Sequence, residues 1–271
     1  MFTASVNSVP QFVVTILELA HKWYPKEPCS EVWYRGCCDR HPLLPGAYWR
    51  KSCDEQSLAL TFRSLVPSYL PREPQDDFEW YYLMQHYGLP TRLLDWTENP
   101  LVALFFALWQ PEKRRRPCVW VMDPVKLNEA VHGPDQQVII VPLGGDSADT
   151  RYWLPDHCGR ESEIHVFDTT DRFRDNRKPL AVFPKRYNPR IVAQRGVFTI
   201  HGMDEIAIDD LLCSDPPDSN NSLARIDIDL ARGESLLDDL WTLGLNRSAL
   251  FPEPQSVADD LKRSYRVDGA C

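Results

Sequence analysis

The sequence lacks an apolar run of about 18 residues, the length that a helix needs to span a membrane. The opening segment, Met1 to Asn7, has no basic stretch followed by an apolar one, so we expect no signal peptide. Eight cysteines among 271 residues are too sparse for a disulfide scaffold, and without an export signal we expect them to be reduced. The sequence therefore predicts a cytoplasmic protein that makes no membrane contact.

Metal and nucleotide motifs are missing as well. No two cysteines are spaced C-x-x-C, and no His/Cys group has zinc-ligand spacing, so we expect no metal. The chain has no Gly-x-Gly-x-x-Gly, no Walker motif and no Gly-x-Ser-x-Gly. These absences disfavour Rossmann dinucleotide binding, ATP-driven work and a serine hydrolase.

The charge of the chain is acidic, with 39 Asp and Glu against 30 Lys and Arg and a formal net charge of −9. Nucleic-acid binding draws its affinity from phosphate neutralisation, so this balance argues against a general role in coating nucleic acid. The dense basic cluster Lys113-Arg114-Arg115-Arg116 lies between a helix-like and a strand-like stretch. It is either a solvated loop or a local contact for phosphate or nucleic acid.

Hydrophobic periodicity predicts helices early in the chain and strands later. Apolar residues at intervals of three and four predict a helix over 12–24, and further helices are expected over 76–85 and 101–109. Short β-prone runs follow: Val119 to Met122, Val138 to Val141, Ile164 to Phe167, Ala181 to Phe183, Ile191 to Ala193 and Val197 to Ile200. This order predicts an α+β fold with N-terminal helices packed on a mixed or antiparallel sheet.

A polar segment over 214–222 predicts a boundary between a main α+β domain, residues 1–213, and a C-terminal extension, residues 214–271. The extension reads as one strand, Ala224 to Ile228, and two helices over about 234–243 and 256–266. We expect it to pack on the main domain.

The segment from Gln85 to Trp96 concentrates polar and ionisable residues between two apolar helices. We interpret it as a loop shaped by glycine and proline, the usual place for a functional site. In it His86 can move protons near neutral pH and Arg92 can grip a phosphate or carboxylate. The alternative is structural: Asp95 caps the following helix, Arg92 pairs with Asp95, and His86 belongs to the core.

Two further segments carry candidate residues. Trp33-Tyr34-Arg35-Gly36 is predicted to end a strand with an arginine, next to a glycine that would let a ligand approach the backbone. Pro189 to Thr199 is predicted to contain a strand that carries Gln194 shortly before Gly196.

In this order the three segments resemble the FRG domain family, which is named for a Phe-Arg-Gly signature met here as Tyr34-Arg35-Gly36. The resemblance covers roughly residues 30 to 205. It implies a bacterial or prophage-linked protein, with an association to toxins and phage defence. It implies no settled chemistry.

The order of the motifs is also similar to that of the ADP-ribosyltransferases. That likeness implies an ADP-ribosyltransferase-like fold in which the arginine of the first strand grips NAD and a late carboxylate holds the ribose. A fixed negative group would stabilise the positive charge that develops on the sugar. Here the late position is filled by Gln194, or by Glu163 in the segment Glu161-Ser162-Glu163, and the sequence does not choose between them.

The resemblance implies the following site, with NAD as co-substrate and no metal. The candidate catalytic residues are Arg35, His86, Asp95, Gln194 and Glu163. The candidate NAD contacts are Tyr34, Arg35, Gly36, Gln85, Tyr87, Gly88, Thr91, Arg92 and Trp96. The acceptor would be a macromolecule or a small molecule, and nucleic acid is one option.

Two other functions stay open at this point. One is a module that keeps the fold and binds a ligand or partner without catalysis, because no unambiguous catalytic carboxylate is present. The other is a metal-independent hydrolase or nuclease that uses His86 and Asp95.

Overall fold

A computed structural model describes residues 1–25, 31–49, 54–132, 153–155, 177–213, 222–265 and 267. The predicted strands Val138 to Val141 and Ile164 to Phe167, and the candidate residue Glu163, lie outside the described residues.

The described residues form a seven-stranded sheet in the order β1-β7-β4-β2-β3-β6-β5. Strands β1 and β7 run parallel and every other neighbouring pair is antiparallel, which confirms the predicted α+β class and mixed sheet. The strands are β1 Phe2–Val6, β2 Trp33–Cys37, β3 Leu93–Thr97, β4 Cys118–Met122, β5 Leu180–Val182, β6 Gly196–Ile200 and β7 Leu223–Ile228. The likeness to the ADP-ribosyltransferase fold stays a prediction.

Helices cover the sheet, and each of the five predicted ones is present within two or three residues of its expected bounds. The α-helices are α1 Val9–Trp23, α2 Gly46–Trp49, α3 Glu55–Leu65, α4 Asp77–His86, α5 Pro100–Leu108, α6 Pro124–His132, α7 Pro189–Ala193, α8 Ile208–Cys213, α9 Gly233–Thr242, α10 Arg247–Leu250 and α11 Pro254–Tyr265. Asparagine followed by proline starts two of them, since Asn99 caps α5 and Asn188 caps α7.

Successive side chains of a strand point to opposite faces of the sheet and contribute to a hydrophobic core on each face. On one face Tyr34, Val121 and Ile226 pack in a cluster with residues of α1, α5 and α9. The opposite face presents Trp33 and Trp120 to a cluster that includes residues of α6 and α8. A third cluster joins α3, α4 and α7 to the strands at the β5 end of the sheet.

Two predicted elements are wrong. The residues Leu93 to Trp96, which we expected in a loop, belong to strand β3 between β2 and β6. Four of its five residues are buried, so the polar–apolar alternation that marks a half-exposed strand is missing. The run Ile191 to Ala193, expected as a strand, belongs to helix α7 because the Asn188 side chain and Pro189 set up a helical first turn.

Candidate functional site

A cleft of about 910 Å³ opens at the centre of the sheet. Strands β2 and β3 pair at a single register position, Tyr34 opposite Thr97, and residues of both strands beyond it line the cleft. The end of α4 and the segment 41–49 form other parts of the wall. This volume is in the range of pockets that hold small molecules and cofactors.

Helix α4 ends in a turn that brings Gln85 and His86 to the cleft. The Gly88 amide donates to the Gln85 carbonyl at 3.0 Å and the Leu89 amide to the Met84 carbonyl at 3.1 Å. These two bonds form a Schellman motif, which needs a left-handed residue just after the helix. Gly88 supplies it with a φ of +75°, so the chain can turn from α4 toward β3.

Asp95 is the centre of a polar group in the cleft. Gln85 Nε2 donates to Asp95 Oδ2 at 2.8 Å, and Thr91 Oγ1 donates to Gln85 Oε1 at 2.6 Å. Arg35 Nη1 donates to the backbone oxygen of Asp95 at 2.6 Å and lies 3.9 Å from its Oδ2. The Asp95 side chain is still 57% exposed, so a ligand can reach a carboxylate whose position is fixed by its neighbours.

Tyr34, Gly36 and Trp96 also line the cleft. Burial raises the pKa of Tyr34 to about 12, and Trp96 Nε1 donates to Thr199 Oγ1 at 3.1 Å. Gly36 has a role that differs from the expected one. A Cβ atom at this position would lie 1.8 Å from the Ala103 oxygen, so the glycine is required for α5 to pack on β2.

The structure places three other candidate residues outside the lining of the cleft. Arg92 is 4% exposed and its Nε donates to Glu55 Oε2 at 2.8 Å, so its charge is used in the core rather than on Asp95. Thr91 is buried and acts on the cleft through Gln85. Tyr87 is largely exposed, next to the His86 ring.

His86 and Arg190 form a second electrostatic feature of the wall. Burial, followed by the charge of Arg190, lowers the pKa of His86, so the imidazole is neutral at neutral pH. Burial also lowers the pKa of Arg190, while Asp95 and Glu253 favour its charged form. Arg190 lies over the Phe251 ring at 4.5 Å from its centroid, which leaves a partly desolvated guanidinium beside the cleft.

Gln194 lines the cleft at the C-terminal end of α7. Its Nε2 donates to the Leu250 oxygen at 3.0 Å, and its backbone oxygen accepts from Thr97 Oγ1 at 2.6 Å. The amide nitrogen therefore joins the C-terminal part of the chain to the site. The other candidate for the same role, Glu163, lies outside the described residues.

Several cleft residues carried no prediction from the sequence, among them Cys37, His41, Trp49 and Arg190, whereas Lys113 and Arg115, which also line the cleft, belong to the basic run for which a phosphate contact was one of two options. A hydrogen bond with Cys118, followed by the nearby Arg35 charge, lowers the pKa of the Cys37 thiol. Trp49 packs edge-on against His41 and is 53% exposed. These residues come from segments that are distant in sequence, and no spacing pattern links them.

Within the parts of the chain that the structure describes, no group of three or more His, Cys, Asp or Glu residues is placed to hold a metal ion. No helix in the same parts is long and apolar enough to cross a membrane.

Comparison with known proteins relates part of the chain to a known protein family. Neither the curated proteins nor the solved structures contain a significant match to the chain. The family model described as FRG domain matches residues 30–116. This range includes β2, α4, β3 and α5, and so both strands that part to open the cleft. The segment that carries Arg35, Gln85 and Asp95 therefore matches the FRG domain model, whereas the third segment of the predicted resemblance, Pro189 to Thr199, lies outside the matched residues.

Proposed function

We propose that the cleft binds NAD and that the protein transfers ADP-ribose from NAD to an acceptor. The observation that carries this proposal is the pairing of Arg35 with a fixed, accessible Asp95 inside a cleft of about 910 Å³. A cation suits the diphosphate of NAD. A fixed carboxylate suits a reaction in which positive charge develops on the ribose.

The transfer needs a few groups in defined positions. The bond between ribose C1′ and nicotinamide breaks, and its electron pair leaves with nicotinamide as the neutral base. The acceptor nucleophile then forms a bond to C1′ and gives up its proton. Asp95 would stabilise the cationic sugar, while Arg35 and Arg190 would hold the phosphates. His86, kept neutral by burial and by Arg190, is suited to accept the proton.

Asp95 is also preorganised, which supports this role. The Thr91 hydroxyl fixes the orientation of the Gln85 amide, and the amide then holds one carboxylate oxygen of Asp95. A charge that is already oriented stabilises a transition state without reorganisation at the moment of reaction. The other oxygen of the carboxylate is left for the substrate.

A second candidate is a binding module without catalysis. The amide nitrogen of Gln194 is engaged by the Leu250 oxygen rather than turned to a ligand. If Gln194 is the residue at the ribose position, the cleft holds its ligand without the late carboxylate that the transferase motif supplies. A transferase would then have to stabilise the cationic sugar with the carboxylate of Asp95 alone, or with Asp95 and Glu163 together.

The test is incubation of the pure protein with radiolabelled NAD and a bacterial lysate. Arg35→Ala and Asp95→Asn should lower label transfer by about 100-fold or more, the loss typical of removing one electrostatic contact to a transition state. The matched controls are Arg232→Ala and Asp239→Asn, two exposed positions away from the cleft. Thermal unfolding of all four variants checks that the fold is intact.

The products identify the acceptor and decide between the functions. Removal of the label by protease, RNase or DNase names the class of acceptor, and comparison of Gln194→Ala with Glu163→Ala identifies the residue that holds the ribose. If the protein neither transfers label nor releases nicotinamide, the result contradicts the transferase proposal and favours the binding module. Metal-independent cleavage of nucleic acid in the same lysate would favour the nuclease.

A further inference from the structure

The basic run from Lys113 to Arg116 is divided by the fold. Arg114 is 7% exposed and its guanidinium pairs with Glu234. Arg116 Nε pairs with Asp39 Oδ1 at 2.8 Å. Lys113 and Arg115 point elsewhere: both are exposed and both line the cleft. Within the run, Arg114 and Arg116 thus form structural ion pairs, and Lys113 and Arg115 line the cleft.

Local backbone geometry explains this division. Pro111–Lys113 is a 3-10 turn, and Arg114 after it is extended, with φ −67° and ψ 118°. Successive side chains of an extended segment point in opposite directions. The Arg115 amide donates to the Cys38 oxygen at 3.0 Å, which fixes the segment beside the end of β2. The positions of Lys113 and Arg115 are therefore set by the backbone and by the two buried or paired arginines.

The charges of Lys113 and Arg115 are available to a ligand. Among the described residues, neither side chain makes an ion pair or hydrogen bond with another side chain. Glu112 and Asp39 are acids on the same wall, but Asp39 is already paired with Arg116. In a chain with a net charge of −9, two cations that have no side-chain partner among the described residues favour an anionic ligand at the cleft.

We propose that Lys113 and Arg115 form a phosphate-binding subsite in the wall of the cleft, additional to Arg35 and Arg190. The phosphate could belong to the diphosphate of a dinucleotide or to the backbone of a single-stranded nucleic acid that serves as acceptor. The choice of ligand rests on the proposed function. The subsite itself does not, because it follows from the placement of the two cations.

The test is binding of NAD and of a ten-nucleotide single-stranded RNA to the full chain, measured by calorimetry at two or more salt concentrations. The double variant Lys113→Ala/Arg115→Ala is compared with Arg232→Ala/Lys262→Ala, which removes the same charge from exposed positions outside the cleft. We expect the cleft variant to weaken binding of one ligand by tenfold or more, and the control by less than twofold.

The two ligands distinguish the sources of the phosphate. A loss confined to NAD assigns the subsite to the dinucleotide, and a loss confined to RNA assigns it to a nucleic-acid acceptor. In the RNA case the slope of log K against log salt should become less steep by about 1.4, or about 0.7 for each lost contact. A structural role of the two residues would not change this slope selectively.

Two results would overturn the subsite: no binding of either ligand by the wild-type chain, or equal effects of the cleft variant and the control. Failure of the transferase proposal gives a different result. In that case phosphate binding depends on Lys113 and Arg115 while neither transfer of label nor release of nicotinamide is detected.

Discussion

Thr91 lies one step away from the proposed chemistry, since it does not line the cleft itself and acts through Gln85, which does. Its hydroxyl also accepts from the Leu93 amide at 3.2 Å, so Thr91→Val removes two hydrogen bonds at a buried position. The Gln85 amide would lose its fixed orientation and Asp95 would lose its donor. We expect kcat to fall about tenfold, equivalent to about 1.4 kcal/mol, while KM for NAD changes little.

Thr91→Ser provides the matched control for this prediction because it keeps the hydroxyl and removes only the methyl group. Steady-state kinetics of both variants should place the loss in Thr91→Val and restore most of kcat in Thr91→Ser. If both lose activity equally, the methyl packing of Thr91 matters and the orientation of Gln85 does not.

His201 gives the fold a dependence on pH. The ring is fully buried, edge-on to Tyr48, and burial lowers its pKa to about 3. In the unfolded chain the pKa of histidine is about 6.5. Between these two values the unfolded state binds one more proton, so the free energy of unfolding should fall by about 1.4 kcal/mol for each pH unit below 6.5.

Urea unfolding at pH 7 and pH 5 measures this effect. His201→Phe keeps an aromatic ring and cannot titrate, so its loss of stability between the two pH values should be smaller than that of the wild type. Carboxyl groups such as Asp123, whose pKa is raised by burial, add their own pH dependence to both proteins. Identical losses in both proteins would show that His201 does not control the acid response.

At the scale of elements, the contact between β2 and α5 decides whether the cleft can form. A Cβ atom on Gly36 would meet the Ala103 oxygen at 1.8 Å and the Ala107 nitrogen at 2.6 Å. Both are backbone atoms and cannot rotate away. We expect Gly36→Ala to lower the free energy of unfolding by about 3 kcal/mol, at the upper end of the usual cost of overpacking.

Gly196→Ala is the control for Gly36→Ala in the same cleft. A Cβ atom on Gly196 would lie 3.6 Å from Ile191, an ordinary van der Waals distance, so this variant should change stability by less than about 1 kcal/mol. Chemical denaturation of the two variants tests the difference. Equal stabilities would mean that α5 shifts easily and that Gly36 is kept for another reason.

Sequence patterns predicted secondary structure well where the helix or strand was long enough to show a recognisable pattern of apolar residues or a clear start signal. Helix α1 was found because its apolar residues recur at intervals of three and four, and α5 because polar residues and Pro100 precede a run of apolar residues. Strand β3 was missed because four of its five residues are buried and the alternation of polar and apolar residues is absent. Helix α7 was read as a strand, although Asn188-Pro189 repeats the start signal of Asn99-Pro100, because the helix is only five residues long.

The site was predicted in part, for a related physical reason. Arg35, Gln85 and Asp95 lie in two segments rich in polar and glycine residues, and the structure brings them together. Arg92 is as polar as Arg35, and its burial against Glu55 depends on α3, which is distant in sequence. Lys113 and Arg115 differ from Arg114 and Arg116 only in the direction of their side chains. The composition of the run does not reveal this difference.

At the scale of the whole molecule, the family match describes the cleft but not the sheet that supports it. Within residues 30–116, β2 and β3 meet at one register position. Each makes its five-position pairing with a strand encoded later, β2 with β4 and β3 with β6. The matched segment therefore depends on the rest of the chain for its backbone hydrogen bonds.

The C-terminal strand β7 extends this dependence to the end of the chain. It lies between β1 and β4 and pairs with each of them at five positions. With α9 it also contributes Ala224, Ile226 and Leu240 to the core cluster that contains Tyr34. A chain ending at residue 221 would leave both neighbouring strands with unpaired edges and open that core.

We therefore expect the chain ending at residue 221 to lose its cooperative thermal transition, as followed by circular dichroism, and to aggregate in size-exclusion chromatography. A chain ending at Tyr265 retains β7 and all of α11, and should unfold within a few degrees of the full chain. A cooperative transition in the shorter chain would contradict the argument, since it would show that the FRG segment and its neighbouring strands fold without β7. In that case the C-terminal residues would have to contribute to the cleft instead, through the Leu250 oxygen that holds Gln194 and the Phe251 ring beneath Arg190.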